Sequence, residues 1–324
     1  MAIAARVDPK SYFTPDEWRP LAARSSWRGL ALVAHGWAVI GLTAAAVIAS
    51  PALLGPFWPI TLIPAAMIIG ARQLGLAILM HDAAHGALHP NQKVNDFVGE
   101  WLCSGGVERY RKYHLQHHKF AQQGEDPDLG LSAPFPITRA SFGRKIVRDL
   151  TGQTWFKERF GVAIAKLKAR KADEPVLPIL TAEAWRLRRW FIVNGLVIAA
   201  TSAAGLWWAW FALWLLPRAT WFQLITRCRN IAEHALIAKN EPDPLRHART
   251  THAGLIERAL IAPYYVNYHC EHHMFMHVPC WNLPRVRRLL EAKGVTEKML
   301  GAPGYVSVLR AASAKPPVLV AATA

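Results

Sequence analysis

The sequence is poor in cysteine and in acidic residues. Its four cysteines, Cys103, Cys228, Cys270 and Cys280, form no C-x-x-C pair. That spacing excludes a disulfide framework and a cysteine-held cluster, and it reads as free thiols in a reducing compartment. Twenty-two Asp and Glu stand against 38 Lys and Arg, a formal charge of +16. The chain has no H-P-G-G haem signature, no G-x-G-x-x-G turn and no H-E-x-x-H. It therefore shows no haem or dinucleotide motif of its own, and no zinc-hydrolase base. The first 26 residues lack a short apolar core before a small-residue cleavage site, and they read as a cytosolic lead-in.

What the chain has instead is apolar length. Leu30–Ala49 carries His35 as its one ionisable residue, and Ile60–Met80 is broken only by Arg72 and Gln73. Runs of this length cross a hydrocarbon core of roughly 30 Å. Between them, Ser50–Pro59 holds three prolines, Gly55 and no charge, which predicts a tight turn on the far side. His35, alone in its span, is expected to pack rather than ligate. Trp190–Pro217 also lacks charge. Apolar runs and 14 tryptophans turn the basic balance towards a membrane surface and away from nucleic acid.

Ten histidines fall into clusters. His81 and His85 are spaced i, i+4, with His89 four residues on. His114 sees His117 and His118 at i+3 and i+4, and His269 sees His272 and His273 in the same way, with His277 beyond. On helices these spacings aim several imidazoles at one point. Neutral imidazole is the commonest metal ligand and suits iron, zinc, copper and nickel.

If all clusters serve one centre, the chain must cross an even number of times between the second and the third. The long apolar run is therefore divided by a turn at Gly205. The expected fold is an all-α integral membrane protein with four transmembrane helices in two hairpins, at 30–49, 60–80, 188–206 and 208–229. A cytosolic helical cap, 81–187 and 230–310, carries the histidine boxes, and the whole of 1–324 forms one domain. Pro217 should kink the fourth helix, and Arg218 would lie within the membrane. Lys and Arg flank the first hairpin on the side of the termini, which places termini and histidines in the cytoplasm. The basic stretch 139–175 is expected to lie on anionic lipid. The Ala/Arg-rich chain without retention signals favours a bacterial inner membrane.

The fourth helix ends in N-I-A-E-H, where Asn230 and His234 share a face. The candidate ligands are then His81, His85, His114, His117, His118, His234, His269, His272 and His273. Nine are too many for one ion and suit two, each with an open position. No catalytic residue is expected apart from these ligands. Asn230 is a candidate for contact through a water. Asp82, Glu271, His89 and His277 are candidates for orienting imidazoles. Asp126 and Asp128, in a turn-rich loop, read as solvated turn residues, with contact to a ligand imidazole as the alternative. Cys270, His247 and His252 read as structural.

In combination H-D-A-A-H, H-L-Q-H-H followed by D-P-D-L, N-I-A-E-H, and H-C-E-H-H with V-P-C-W-N-L-P resemble the membrane fatty acid desaturase family over roughly residues 30–290. His81 and His85 match its first box, and His114, His117 and His118 its second. His269, His272 and His273 match the third, and Asn230 and His234 the further motif after the fourth span. His89 has no fixed counterpart. The resemblance implies four transmembrane helices, a cytosolic cap and a non-haem di-iron centre. It further implies O2-dependent attack on an unactivated C–H bond of a membrane lipid or acyl chain. Such a bond offers acid–base catalysis nothing to hold, so a metal-bound oxidant must act. Electrons must come from a separate donor, a ferredoxin or cytochrome b5 with its reductase. A hydroxylase or ketolase acting on a lipid, carotenoid or sterol would use the same ligands. A non-enzymatic metal transporter fits less well, because transporters place ligands at membrane depth.

Overall fold

A computed structural model describes residues 7–132 and 134–315. The first residues of the expected lead-in and the Ala/Pro-rich end of the chain lie outside the described residues. Helices dominate. In chain order they are α1 Pro15–Ala22, α2 Arg28–Leu54, α3 Leu62–Ala84, α4 Gln92–Trp101, α5 Val107–Phe120, α6 Leu129–Ser132, α7 Arg139–Leu150 and α8 Gln153–Ala169. They continue with α9 Leu177–Ala203, α10 Trp207–Trp210, α11 Leu216–Ala219, α12 Trp221–His234, α13 Leu255–Leu260, α14 His269–Met274, α15 Leu283–Ala292 and α16 Tyr305–Ala312. Two three-residue strands, β1 Arg249–Thr251 and β2 Leu300–Ala302, pair in parallel, with Thr250 opposite Gly301.

The chain divides into two compact units. One is built from residues up to Val39, Ala71–Arg144 and Ile225 onward; the other from Ile40–Gly70 and Lys145–Leu224. Every histidine of the boxes belongs to the first.

In the second unit, the far ends of α2 and α3 meet at the 3-10 turn Gly55–Thr61, where Ser50 Oγ and Thr61 Oγ1 are 3.3 Å apart. The run Arg28–Ala84 is long and apolar enough to cross a membrane. Among the described residues it alone meets that test. The expected second pair is helical but different in kind. α9 begins eleven residues before the expected span at 188 and carries Arg186, Arg188 and Arg189 in its first half. It stops at Ala203, and Gly205 turns the chain with φ +73°. That left-handed conformation costs glycine little.

The expected fourth span is broken twice. Phe211–Leu215 is a π-helical turn, and Thr220 separates α11 from α12. Pro217 explains the first break. It has no N–H to give, and its ring crowds the carbonyl four residues back, at Leu213, so the preceding turn widens. Arg218 places its guanidinium carbon 3.6 Å from the Phe222 ring centre and has Glu158 of α8 as an electrostatic partner.

In the first unit, Tyr264 wedges between α2 and α3. Its hydroxyl donates to the Leu32 carbonyl (3.0 Å) and meets His35 Nδ1 (3.0 Å). The wedge needs Gly75, because a Cβ there would sit 2.6 Å from the Tyr264 ring. Asn95 of α4 is fully buried beneath the turn after α3. Its Oδ1 accepts from the Leu88 and His89 N–H groups at 3.1 and 3.3 Å, and its Nδ2 donates to the Ala83 carbonyl at 2.8 Å. Asn95→Ala strands these groups. The expected loss is about 2–4 kcal/mol of stability, since each buried group left without a partner costs about 1–3 kcal/mol. Denaturant unfolding in detergent checks this, and a change below about 1 kcal/mol would refute it.

Candidate metal centre

Each cluster reaches the centre from a helix with a defined end. α3 delivers His81, and the turn that closes it presents His85, whose N–H still reaches the His81 carbonyl at 3.2 Å. α5 begins where Glu100 Oε2 accepts the Gly106 and Val107 N–H groups at 2.7 and 2.9 Å, satisfying its first turn. Its following turns bear His114, His117 and His118. α12 ends on His234, and α14 carries His269, His272 and His273.

The donor atoms gather into two regions. His81, His85, His114, His118 and His272 bring one nitrogen each to within 4.8 Å of one another. His117, His234 and His273 do the same, and a carboxylate oxygen of Glu233 lies equally close to nitrogens of His234 and His269. All nine candidate histidines are therefore assembled, from four helices distant in sequence. His118 Nε2 lies 3.0 Å from His114 Nε2 and 3.1 Å from His272 Nε2. His117 Nε2 is 3.3 Å from His273 Nε2, and His234 Nε2 is 2.8 Å from His269 Nε2.

These contacts fit a metal better than a hydrogen-bond network. A neutral imidazole has one N–H and one lone pair, so three converging nitrogens cannot all be satisfied by each other. Both ring nitrogens of His85, and Nδ1 of His234, are buried without a hydrogen-bond partner. Buried polar atoms are otherwise almost always paired. The imidazoles are also held neutral. Burial, then repulsion from neighbouring imidazoles or Arg, pushes His81, His85, His114, His118, His234, His269, His272 and His273 below the ordinary histidine value. Their lone pairs are thus free to ligate.

The surrounding residues differ from expectation in several places. Asp126 is not solvated: it is buried, and its Oδ1 accepts from His117 Nδ1 at 2.8 Å while its oxygens also take the Gln122 and Asp128 N–H groups at 3.0 and 2.8 Å. The loop wraps around the carboxylate, and His117 Nε2 is left pointing at its partners. Asp128 is 3.7 Å from the same imidazole and accepts from the Tyr113 hydroxyl. Asp82 lies 3.5 Å from His81 Nδ1 and accepts the Cys280 N–H at 2.9 Å; burial raises its carboxyl to about 6.

Glu271 does not orient an imidazole. Its oxygens take the Thr250 hydroxyl and Arg287 Nη1 (3.1 Å), pinning α14 to β1 and α15. His89 is turned to its own loop, accepting the Asn91 N–H at 3.0 Å. His277 donates to the His85 carbonyl at 3.1 Å and so backs the first box. Asn230 lines the cavity beside the centre, with Oδ1 taken by Arg229 Nη2 at 3.1 Å.

Two neighbours were not foreseen. Tyr110 stacks on His114, ring centres 5.1 Å apart, and its place four residues ahead on the same helix was the available signal. Glu233 is buried, 3.3 Å from Arg229 Nη1 and 3.6 Å from His269 Nε2, and burial raises its carboxyl to about 7.

The sequence matches the family described as Fatty acid desaturase over residues 56–299, a stretch that contains all nine histidines. The chain belongs to the fatty acid desaturase family. It is an oxidoreductase of that family, which is membrane-associated and known for a di-iron cofactor. Among curated desaturase-family relatives, the dihydrorhizobitoxine desaturase of Bradyrhizobium elkanii is 26% identical over 69% of this chain and 66% of its own length. The beta-carotene ketolase of Paracoccus sp. (strain PC1) is 29% identical over 66% of this chain and 74% of its own. The chain thus spans about two thirds to three quarters of the relatives it matches.

The neutral imidazoles set a pH dependence for the metal-free protein. The eight lowered histidines stay neutral when folded but take up protons when unfolded below about pH 6.5. Stability is then fully present above that pH and is lost as pH falls towards the folded values, about 3 for His272. Each proton taken up on unfolding costs about 1.4 kcal/mol per pH unit. The raised carboxyls of Asp82, Glu233 and Glu271 act in the opposite sense, adding stability as pH falls, but they are outnumbered. The thermal midpoint in detergent is expected to fall steadily from pH 7 to pH 5. A flat or rising midpoint would contradict the neutral cluster.

Proposed function

We propose that this chain is an O2-dependent lipid desaturase, with the nine histidines holding two irons and external electrons completing the reaction. The observation that carries the reading is the pair of nitrogen-donor sets, His81, His85, His114, His118 and His272 beside His117, His234, His269 and His273. The balance is one –CH2–CH2– unit, O2, two electrons and two protons giving one –CH=CH– unit and two waters. Bound there, the irons would supply the O2-derived oxidising power that an unactivated alkyl C–H bond requires.

The protein's own part is positional. Asp126 fixes the His117 ring, and the His277 contact backs the turn that presents His85. Burial keeps water from the imidazole nitrogens. Arg229, held between Asn230 and Glu233, places a fixed cation at the cavity wall. The nine ligands are the whole catalytic set in this reading, with Asp82 orienting His81.

The first hairpin anchors the chain, and α9 with the broken helix 207–234 forms the second, giving a multi-pass protein. Termini and centre face the cytoplasm of a bacterial inner membrane. The electron donor is a separate acidic carrier of the ferredoxin or cytochrome b5 type. The basic helices α7 and α8 suit its docking. Turnover is then expected to fall several-fold as salt rises from about 0.05 to 0.5 M, since screening shortens the reach of surface charge to a few ångströms. Turnover unchanged by salt would sink the acidic-carrier assignment.

A second reading is favoured by the ketolase relative. A hydroxylase or ketolase of a lipid or carotenoid would use the same centre but insert oxygen. Purified protein, iron, a donor system and membrane lipid under 18O2 separate the two. The desaturase reading expects a product two hydrogens lighter with no 18O. Label retained in the product would establish oxygen insertion instead.

A further inference from the structure

The two donor sets are unequal. Five imidazoles meet at the first position, and four, His117, His234, His269 and His273, surround the second. The group beside the deficient position is Glu233. Its carboxylate belongs, with His234 and His269, to a set whose donor atoms lie within 4.8 Å of one another. Oε2 is 3.6 Å from His269 Nε2, and the side chain is 3% exposed. We propose that Glu233 is a ligand of the second metal, so that this centre is a mixed nitrogen and oxygen site in place of an all-imidazole one. The inference deepens the metal-centre reading above and rests on it.

Three physical arguments carry it. Imidazole with carboxylate is a donor combination suited to non-haem iron(II), and Glu233 would add a fifth donor to His117, His234, His269 and His273. Charge points the same way. Nine neutral imidazoles bring no charge of their own to two divalent ions in a buried site, where an unpaired charge is expensive, and the carboxylates of Asp126 and Asp82 lie behind the rings of His117 and His81. Glu233 is the acid that sits among the donor groups. Finally, Asn230, the other candidate at this position, has its Oδ1 taken by Arg229 Nη2 at 3.1 Å. Arg229 Nη1 meets both carboxylate oxygens of Glu233, Oε2 at 3.3 Å and Oε1 at 3.4 Å, and holds the carboxylate in place beside His269.

The test is iron per folded chain, with Mössbauer spectra of 57Fe-loaded protein, for the wild type, Glu233→Gln, Glu233→His and Asn230→Ala. The wild type is expected to hold two irons. Glu233→Gln, nearly the same shape but a poor ligand, is expected to hold about one. Glu233→His restores a donor and is expected to hold two, with one doublet altered; Asn230→Ala keeps both. A structural role in pairing Arg229 predicts the reverse order, with His worse than Gln. Glu233→Gln retaining two irons with unchanged spectra overturns the inference, as does equal loss in the Gln and His variants. Loss in Asn230→Ala with none in Glu233→Gln overturns it as well. A wild type without iron would instead overturn the metal-centre reading itself.

Discussion

His118→Ala is expected to abolish turnover and to empty the first metal position. His118 Nε2 sits 3.0 and 3.1 Å from the nitrogens of His114 and His272, which makes it the hub of the five-imidazole set. Alanine removes the donor from the middle of a ring of imidazoles, His85, His114, His272 and His273, whose centres lie 4.3–4.9 Å from its own. Loss of a residue that merely supports a ligand costs roughly 10–100-fold in affinity or activity. Loss of the hub should exceed about 100-fold and should lower iron content in the same preparation. Chain folding should survive, because the four helix ends are held by contacts away from this ring, such as Asn95 under the first box and Glu271 under the third. Turnover within a few-fold of wild type would remove His118 from the centre.

Asp126→Ala should be the next most damaging change. The carboxylate fixes the His117 tautomer, with Nδ1–H donated to Asp126 and Nε2 left as the ligand atom. It also closes the Gln122–Asp128 loop through two backbone N–H groups. The expected loss is about 10–100-fold in metal affinity or activity. Asp126→Asn keeps an acceptor oxygen in the same place and should fall between wild type and Ala. Titration of the metal-free protein with iron, followed by turnover, checks both. Equal behaviour of the three proteins would return Asp126 to the solvated role that its sequence context suggests.

That contrast shows what the sequence made legible. Eight of the nine histidines could be read directly because ligand spacing on a helix is local: i, i+3 and i+4 already fix a face; His234 was read from its place at the end of the fourth helix, on one face with Asn230. The turn at Gly205 was legible for a different reason: histidines serving one centre require an even number of crossings, so the charge-free run had to reverse. Asp126 was legible only as the lesser of two alternatives. Its neighbours Gly124, Pro127 and Asp128 describe a solvent turn, and only the tertiary fold buries that turn against His117.

Glu271 failed in the opposite way. Its place between His269 and His272 suggested an imidazole partner, but its direction on the short helix α14 points it to Thr250 and Arg287. Glu233 was overlooked beside His234 because adjacent residues on a helix face apart. It reaches the centre through His269, 36 residues on, and no local pattern encodes that. The expected second hairpin was legible as apolar sequence, and the geometry of that stretch departs from it. Pro217 and Thr220 divide the helix, and the arginines of α9 fall within its first half.

The most direct test of the central claim is lipid mass spectrometry on cells expressing this chain in air, beside cells expressing His118→Ala. The account predicts a lipid two hydrogens lighter than its precursor in the first culture and none in the second. The same product in both cultures, or in neither once iron, donor and candidate lipids are supplied, would contradict it.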